Sequence, residues 1–98
     1  MEVELSETAV ASIAKLTKGK TADPVRARKV AKALRLLADD PHHPGLVTHR
    51  FKEMDDEVDE KVWQSYVENN VSGAWRMWWF FGPDSGQIFV IDVGPHPD

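Results

Sequence analysis

The chain of 98 residues contains no cysteine. That excludes a disulfide framework and a zinc–thiolate site, and it fits a reducing compartment. No apolar run approaches the roughly 20 residues that span a bilayer. The first residues, Met-Glu-Val-Glu-Leu-Ser-Glu, are acidic where a secretory leader is basic and then apolar. The expectation is a soluble, cytoplasmic protein. Internal repeats, linkers and low-complexity segments are also missing, so one domain over 1–98 is expected, long enough for a core with little to spare.

Charge is present in quantity but unevenly placed. Net charge is −4. Between Lys15 and Arg35 stand eight Lys/Arg residues against one acid, Asp23, and between Glu53 and Glu60 stand six acids and no base. The molecule should be electrostatically two-faced. The negative sum speaks against a surface that grips nucleic acid all over, and leaves a local basic patch open.

Glu2 to Leu5 alternates acid and apolar residues, predicting a short strand. Ser6 is a helix N-cap with Glu7 in the first turn, and Ala9, Val10, Ile13 and Leu16 keep helical spacing. Asp23-Pro24 restarts a second helix. Its apolar stripe is Val30, Leu34 and Leu37 with Ala27 and Ala31, and Arg26, Lys29, Lys32 and Arg35 lie off it. After a His42-His43-Pro44-Gly45 loop, Leu46 to Lys52 reads as a strand. Val47, His49 and Phe51 share one side of it, and Thr48, Arg50 and Lys52 the other. Glu53 to Lys61 is too charged to bury and predicts a solvated loop. Val62 to Glu68 is the next strand, with Trp63, Ser65 and Val67 facing one way.

Ala74 to His96 organises the rest. Ala-Trp-Arg-Met-Trp-Trp-Phe-Phe, a Gly-Pro-Asp-Ser-Gly turn, and Gln-Ile-Phe-Val-Ile-Asp-Val-Gly-Pro-His predict a β-hairpin. Trp75, Met77, Trp79 and Phe81 share one face, and Ala74, Arg76, Trp78 and Phe80 the other. The expected fold is α+β in the order β-α-α-β-β-β, with two N-terminal helices packed on one face of an antiparallel sheet and the other face partly open. Arg76 is the only charge in its strand, amid aromatics, where an unpaired guanidinium is costly. It needs a partner.

Four stretches resemble the RelE/ParE superfamily, the toxin halves of bacterial type II toxin–antitoxin pairs. They are Lys32 to Leu46, Thr48-His49-Arg50-Phe51-Lys52, Ala74-Trp75-Arg76-Met77-Trp78-Trp79, and Ile91-Asp92-Val93-Gly94-Pro95-His96. Together they cover residues 30 to 96 in the family's order. The resemblance implies a toxin neutralised by a cognate antitoxin in a hetero-oligomer. RelE-like members enter the ribosome and cut mRNA with the ribonucleotide's own 2′-hydroxyl as nucleophile. ParE-like members inhibit DNA gyrase and cut nothing. Fold alone does not choose between them. The resemblance favours a ribosome-dependent mRNA endoribonuclease (mRNA interferase). The alternative is a gyrase inhibitor, or a toxin-fold binding protein without catalysis.

Self-cleavage of RNA needs a base for the 2′-OH, positive charge on the phosphate and an acid for the 5′-oxygen. Arg76 matches the family's strand arginine, and its planar fork suits a phosphate. The other reading is an internal ion pair with Glu68 or Asp92. His96 matches the position where relatives carry a catalytic His or Arg, and an imidazole suits either half of acid–base work. Arg50 and Lys52 are candidates for phosphate contact or the base. Lys29, Lys32 and Arg35 are candidates for RNA backbone contact. His49 should be packed in the core, and His42 and His43 should decorate a turn. Tyr66, the only tyrosine, lies in a mid-sheet strand, so no catalytic tyrosine is expected. No metal or cofactor is expected either. The acidic run reads as a soluble loop or as a device for partner choice, and the exposed aromatics suit an antitoxin's amphipathic segment.

Overall fold

The computed structural model describes residues 1–96. Strand β1 (Glu2–Leu5) leads into helix α1 (Glu7–Ala14), and helix α2 (Pro24–Asp39) follows. Both helices start at the expected caps. Ser6 Oγ accepts from the Ala9 N–H over 2.9 Å, and Asp23 Oδ1 accepts from the Arg26 N–H over 3.0 Å, with Pro24 at the first helical position. Each cap satisfies a donor that the helix itself cannot.

Strands β2 (His49–Arg50), β3 (Trp63–Tyr66), β4 (Trp75–Phe81) and β5 (Gln87–Pro95) complete one sheet, ordered β1-β5-β4-β3-β2. Its pairing differs from the expectation. The five strands match those read one by one in the sequence, one more than the order β-α-α-β-β-β counts, and the sheet is mixed where an antiparallel one was expected. The strands from β2 to β5 pair antiparallel through short connections, whereas β1 lies parallel to β5. No tight turn joins β1 to its neighbour, so nothing imposes an antiparallel pairing on it. A bulge opposite Trp78/Trp79 leaves Ile91 without a partner in the ladder, because Trp78 pairs with Asp92 and Trp79 with Val90.

The core lies between the helices and one sheet face. Met77, Trp79, Ile88, Val90 and Val93 meet Ala9, Leu16, Val30, Ala33 and Leu37 there. Trp79 is fully buried, and truncating such a side chain costs about 3–5 kcal/mol. Trp63 stacks on Trp79 with centroids 6.1 Å apart, and Phe81 meets Trp79 edge-on at 4.9 Å. The expected faces of β3 and β4 are therefore the observed ones. The helix stripes shift slightly. Ala33 takes the buried place assigned to Ala31, which is exposed, and Val10 also faces outward.

Residues 46–61 depart furthest from expectation. The predicted strand over 46–52 shrinks to His49–Arg50. Pro44–Leu46 form a 3-10 turn, and Val47 adopts a left-handed conformation at φ 47°. Lys52–Met54 form a second 3-10 turn leading into helix α3 (Asp55–Val58). The acidic run is therefore folded, and Asp55 holds it: Oδ1 accepts from the Val62 N–H over 2.8 Å, and Oδ2 pairs with Arg50. A capping carboxylate with two donors makes local structure out of a segment whose charge alone predicts a loop.

Candidate functional site

The open sheet face carries a polar depression of about 460 Å³. Its floor is a cross-strand pair, Tyr66 on β3 opposite Arg76 on β4. The Arg76 guanidinium carbon lies 3.7 Å from the Tyr66 ring centroid, a close cation–π contact. Nη1 of Arg76 donates to the Glu68 carbonyl and, over 3.1 Å, to the Trp75 carbonyl. Its Nε is buried and has no hydrogen-bond partner among the described residues. No carboxylate stands within 4 Å of this guanidinium among them.

Both carboxylates considered as its counterion are occupied elsewhere. Glu68, 7% exposed, accepts from Arg26 Nε at 2.8 Å, from Lys29 Nζ at 3.3 Å and from the Trp75 N–H at 3.2 Å. Burial pushes this acid upward, but Arg26, the Trp75 amide and Lys29 together outweigh it and hold the carboxyl below its ordinary range. Asp92 Oδ1 accepts from Ser12 Oγ at 2.9 Å. Among the described residues, Arg76 thus brings a positive charge to the sheet surface with only carbonyl oxygens and an aromatic ring to offset it.

His96 lines the same depression and is exposed. Its backbone N–H donates to the Ala74 carbonyl over 3.1 Å, fixing the chain after β5 beside the start of β4. His49 also lines it, which corrects the core assignment. Its neighbours Val47 and Phe51 suggested an inward face, yet His49 is exposed and stands opposite Gln64 on the open side. Phe51 lies on that side too, against Trp78 with centroids 6.0 Å apart. His49 and Phe51 share a side as expected, and that side is the open one.

The structure therefore brings Arg76 and His96 together but keeps Arg50 and Lys52 away from them. Arg50 donates to the Val62 carbonyl over 3.2 Å, pairs with Asp55 and lies over the Trp63 ring at 5.6 Å. Lys52 sits in the 3-10 turn after the strand, outside the lining of the depression, so the two do not share a strand face. Lys29 and Lys32 border a second groove, of about 490 Å³, between α2 and the end of β3. Tyr66 is the residue that the two hollows share. Arg35 is exposed on α2 and outside that groove's lining. His42 lies edge-on to Trp63 at 5.9 Å, and His43 Nδ1 accepts from the Gly45 N–H at 3.0 Å.

Gln64 and Tyr66 were missed as site residues. The signal was available: if Trp63, Ser65 and Val67 face the core, Gln64 and Tyr66 face the side that Arg76 faces. Chemically the depression offers a fixed positive charge, a proton-exchanging imidazole and an aromatic surface. No helix among the described residues is long and apolar enough to cross a membrane. No protein-family model matches the chain, and no curated protein matches it significantly.

Proposed function

We propose that this chain is a RelE/ParE-like toxin that cuts mRNA on the ribosome in the cytoplasm and is neutralised by a cognate antitoxin. The observation that carries this reading is Arg76 beside His96 in one polar depression, with no carboxylate among the described residues neutralising the arginine. In the reaction the 2′-oxygen loses its proton and attacks the adjacent phosphorus. The P–O5′ bond breaks, and the 5′-oxygen takes up a proton, leaving a 2′,3′-cyclic phosphate and a 5′-hydroxyl. Arg76 supplies charge to the phosphoryl oxygens as they become more negative. His96 is the group placed to exchange protons. Lys29 and Lys32 contact the RNA backbone as it approaches over Tyr66, a salt-sensitive contribution.

One observation favours the rival reading of a non-catalytic gyrase inhibitor or a toxin-fold binding protein. Arg50 is committed to Asp55 and Lys52 lies outside the depression, which thins the set of catalytic candidates. Induced expression of wild type, Arg76→Ala and His96→Ala, with mRNA 5′ ends mapped, separates the two. Growth arrest with new cuts inside translated codons, lost in both variants, is the expected result. Arrest without cuts, unaffected by His96→Ala, would transfer the reading to a protein target.

A further inference from the structure

His49, Gln64 and Trp78 stand directly opposite one another on β2, β3 and β4, forming one row across the open face. The Trp78 indole N–H donates to Gln64 Oε1 over 2.9 Å. An indole nitrogen only donates, so the amide oxygen must face Trp78 and the amide NH₂ must face His49. That NH₂ lies 3.1 Å from His49 Nε2. It too only donates, so Nε2 is the bare, accepting nitrogen. On the other side of the ring Nδ1 is 2.8 Å from the Val47 carbonyl, which only accepts, so Nδ1 carries the proton. Three groups of fixed polarity determine the protonation of one histidine. Gln64 is 2% exposed and Trp78 6%, so the amide has little water with which to exchange partners.

We propose that Gln64 is a positioning residue of this site, oriented by Trp78 so that its amide masks Nε2 of His49 and holds the ring in its Nδ1–H form. The charged and titratable groups that share the depression with His49 are Tyr66 from β3, Arg76 from β4 and His96 after β5. Arg76 lies over the Tyr66 ring, and His49 meets the same ring edge-on at 6.1 Å. A proton on Nε2 would break the Gln64 bond and set a second positive charge beside the guanidinium. Within the RNA-cleavage reading, on which this consequence rests, proton traffic passes through His96, because Nε2 of His49 is taken up by Gln64.

The test is long-range ¹H–¹⁵N correlation of the imidazoles in the labelled, RNA-free full chain at neutral pH. Wild type should show His49 protonated at Nδ1 and bare at Nε2, the minor tautomer of free histidine. Gln64→Leu should release the ring into a mixture of tautomers. Gln64→Glu keeps the Trp78 bond but presents an acceptor to Nε2, so both ring nitrogens should become protonated. If the leucine variant does not fold, the near-isosteric glutamate variant carries the test. A wild-type ring protonated at Nε2, or a ring unchanged in the folded variants, overturns the proposal. The expected pattern in a wild-type protein that cuts no mRNA would leave the masking in place and remove only the nuclease reading.

Discussion

Trp79 Nε1 donates to Ser65 Oγ over 2.8 Å on the core side of the sheet, beside the Trp78–Gln64 bond on the open side. Two adjacent tryptophans thus each start a hydrogen-bond chain toward the β2 edge. On the core side Thr48 Oγ1 donates to the Pro41 carbonyl over 2.6 Å, so its contact with Ser65 at 2.7 Å must be a donation from Ser65. Every hydroxyl in the chain is used in one direction.

Ser65→Ala should therefore cost about 1–3 kcal/mol, because it strands the Trp79 N–H where no water reaches. Equilibrium urea unfolding measures this. A cost below about 0.5 kcal/mol would mean that the indole finds another acceptor, contrary to the closed chain described above.

Glu68 gives the fold a pH dependence whose sign is fixed. Its carboxyl is held below the ordinary value of 4.5 in the folded chain. The unfolded chain therefore binds the proton first as acid is added, and stability falls with falling pH. The contribution is full above 4.5 and is lost as pH falls through the lower, folded value. Glu68→Gln should be less stable than wild type at neutral pH, with the gap closing toward about pH 3. Urea midpoints for both proteins across that range would decide it, and a gap independent of pH would contradict the charge-based account.

Much of this architecture is legible in the chain because local chemistry and tertiary packing agree. Ser6 and Asp23-Pro24 start helices by backbone hydrogen bonding alone, and the alternation of Trp63 to Val67 and Trp75 to Phe81 needs only the period of a strand. Residues 46–61 defeat the reading because the decisive interactions join groups far apart in kind. Val47 leaves the extended region, and Asp55 turns an acidic run into a helical segment by capping Val62. His49 has apolar neighbours at i−2 and i+2, which is also what a core histidine would have. Its environment comes instead from Gln64, 15 residues later. The placement of Arg76 and His96 followed from the hairpin, whereas the commitment of Glu68 to α2 required the folded contacts.

Asp55→Ala should loosen residues 52–61 without unfolding the domain. The Arg50–Asp55 pair is partly exposed, both side chains at 27%, so its ionic part contributes little. The lost cap on Val62 adds to that, for a total of about 1 kcal/mol. Amide exchange should quicken across the segment and stay unchanged in β4 and β5. Uniform acceleration instead would place Asp55 in the global fold.

Val47→Gly should be neutral or stabilising, against the usual effect of removing a side chain. A β-branched residue at φ 47° is strained by roughly 1–2 kcal/mol, and Val47 is 48% exposed, so little burial is lost. The added freedom of the unfolded chain offsets roughly 0.5–1 kcal/mol of that relief. Thermal unfolding should place the midpoint at or slightly above that of wild type. A clear drop would mean that the valine methyls hold the turn.

The parallel pairing of β1 with β5 sets the order in which the sheet becomes complete. Glu2 meets Gln87, so the first strand waits for a partner some 85 residues downstream. β5 is also the strand against which β4 closes, with Gly94 opposite Arg76 and Pro95 opposite Trp75. A chain still being synthesised therefore has neither a seat for its first strand nor a finished wall beside the arginine. Contacts of such separation form late and slowly. The depression acquires the side that carries His96 only when β5 has left the ribosome and docked.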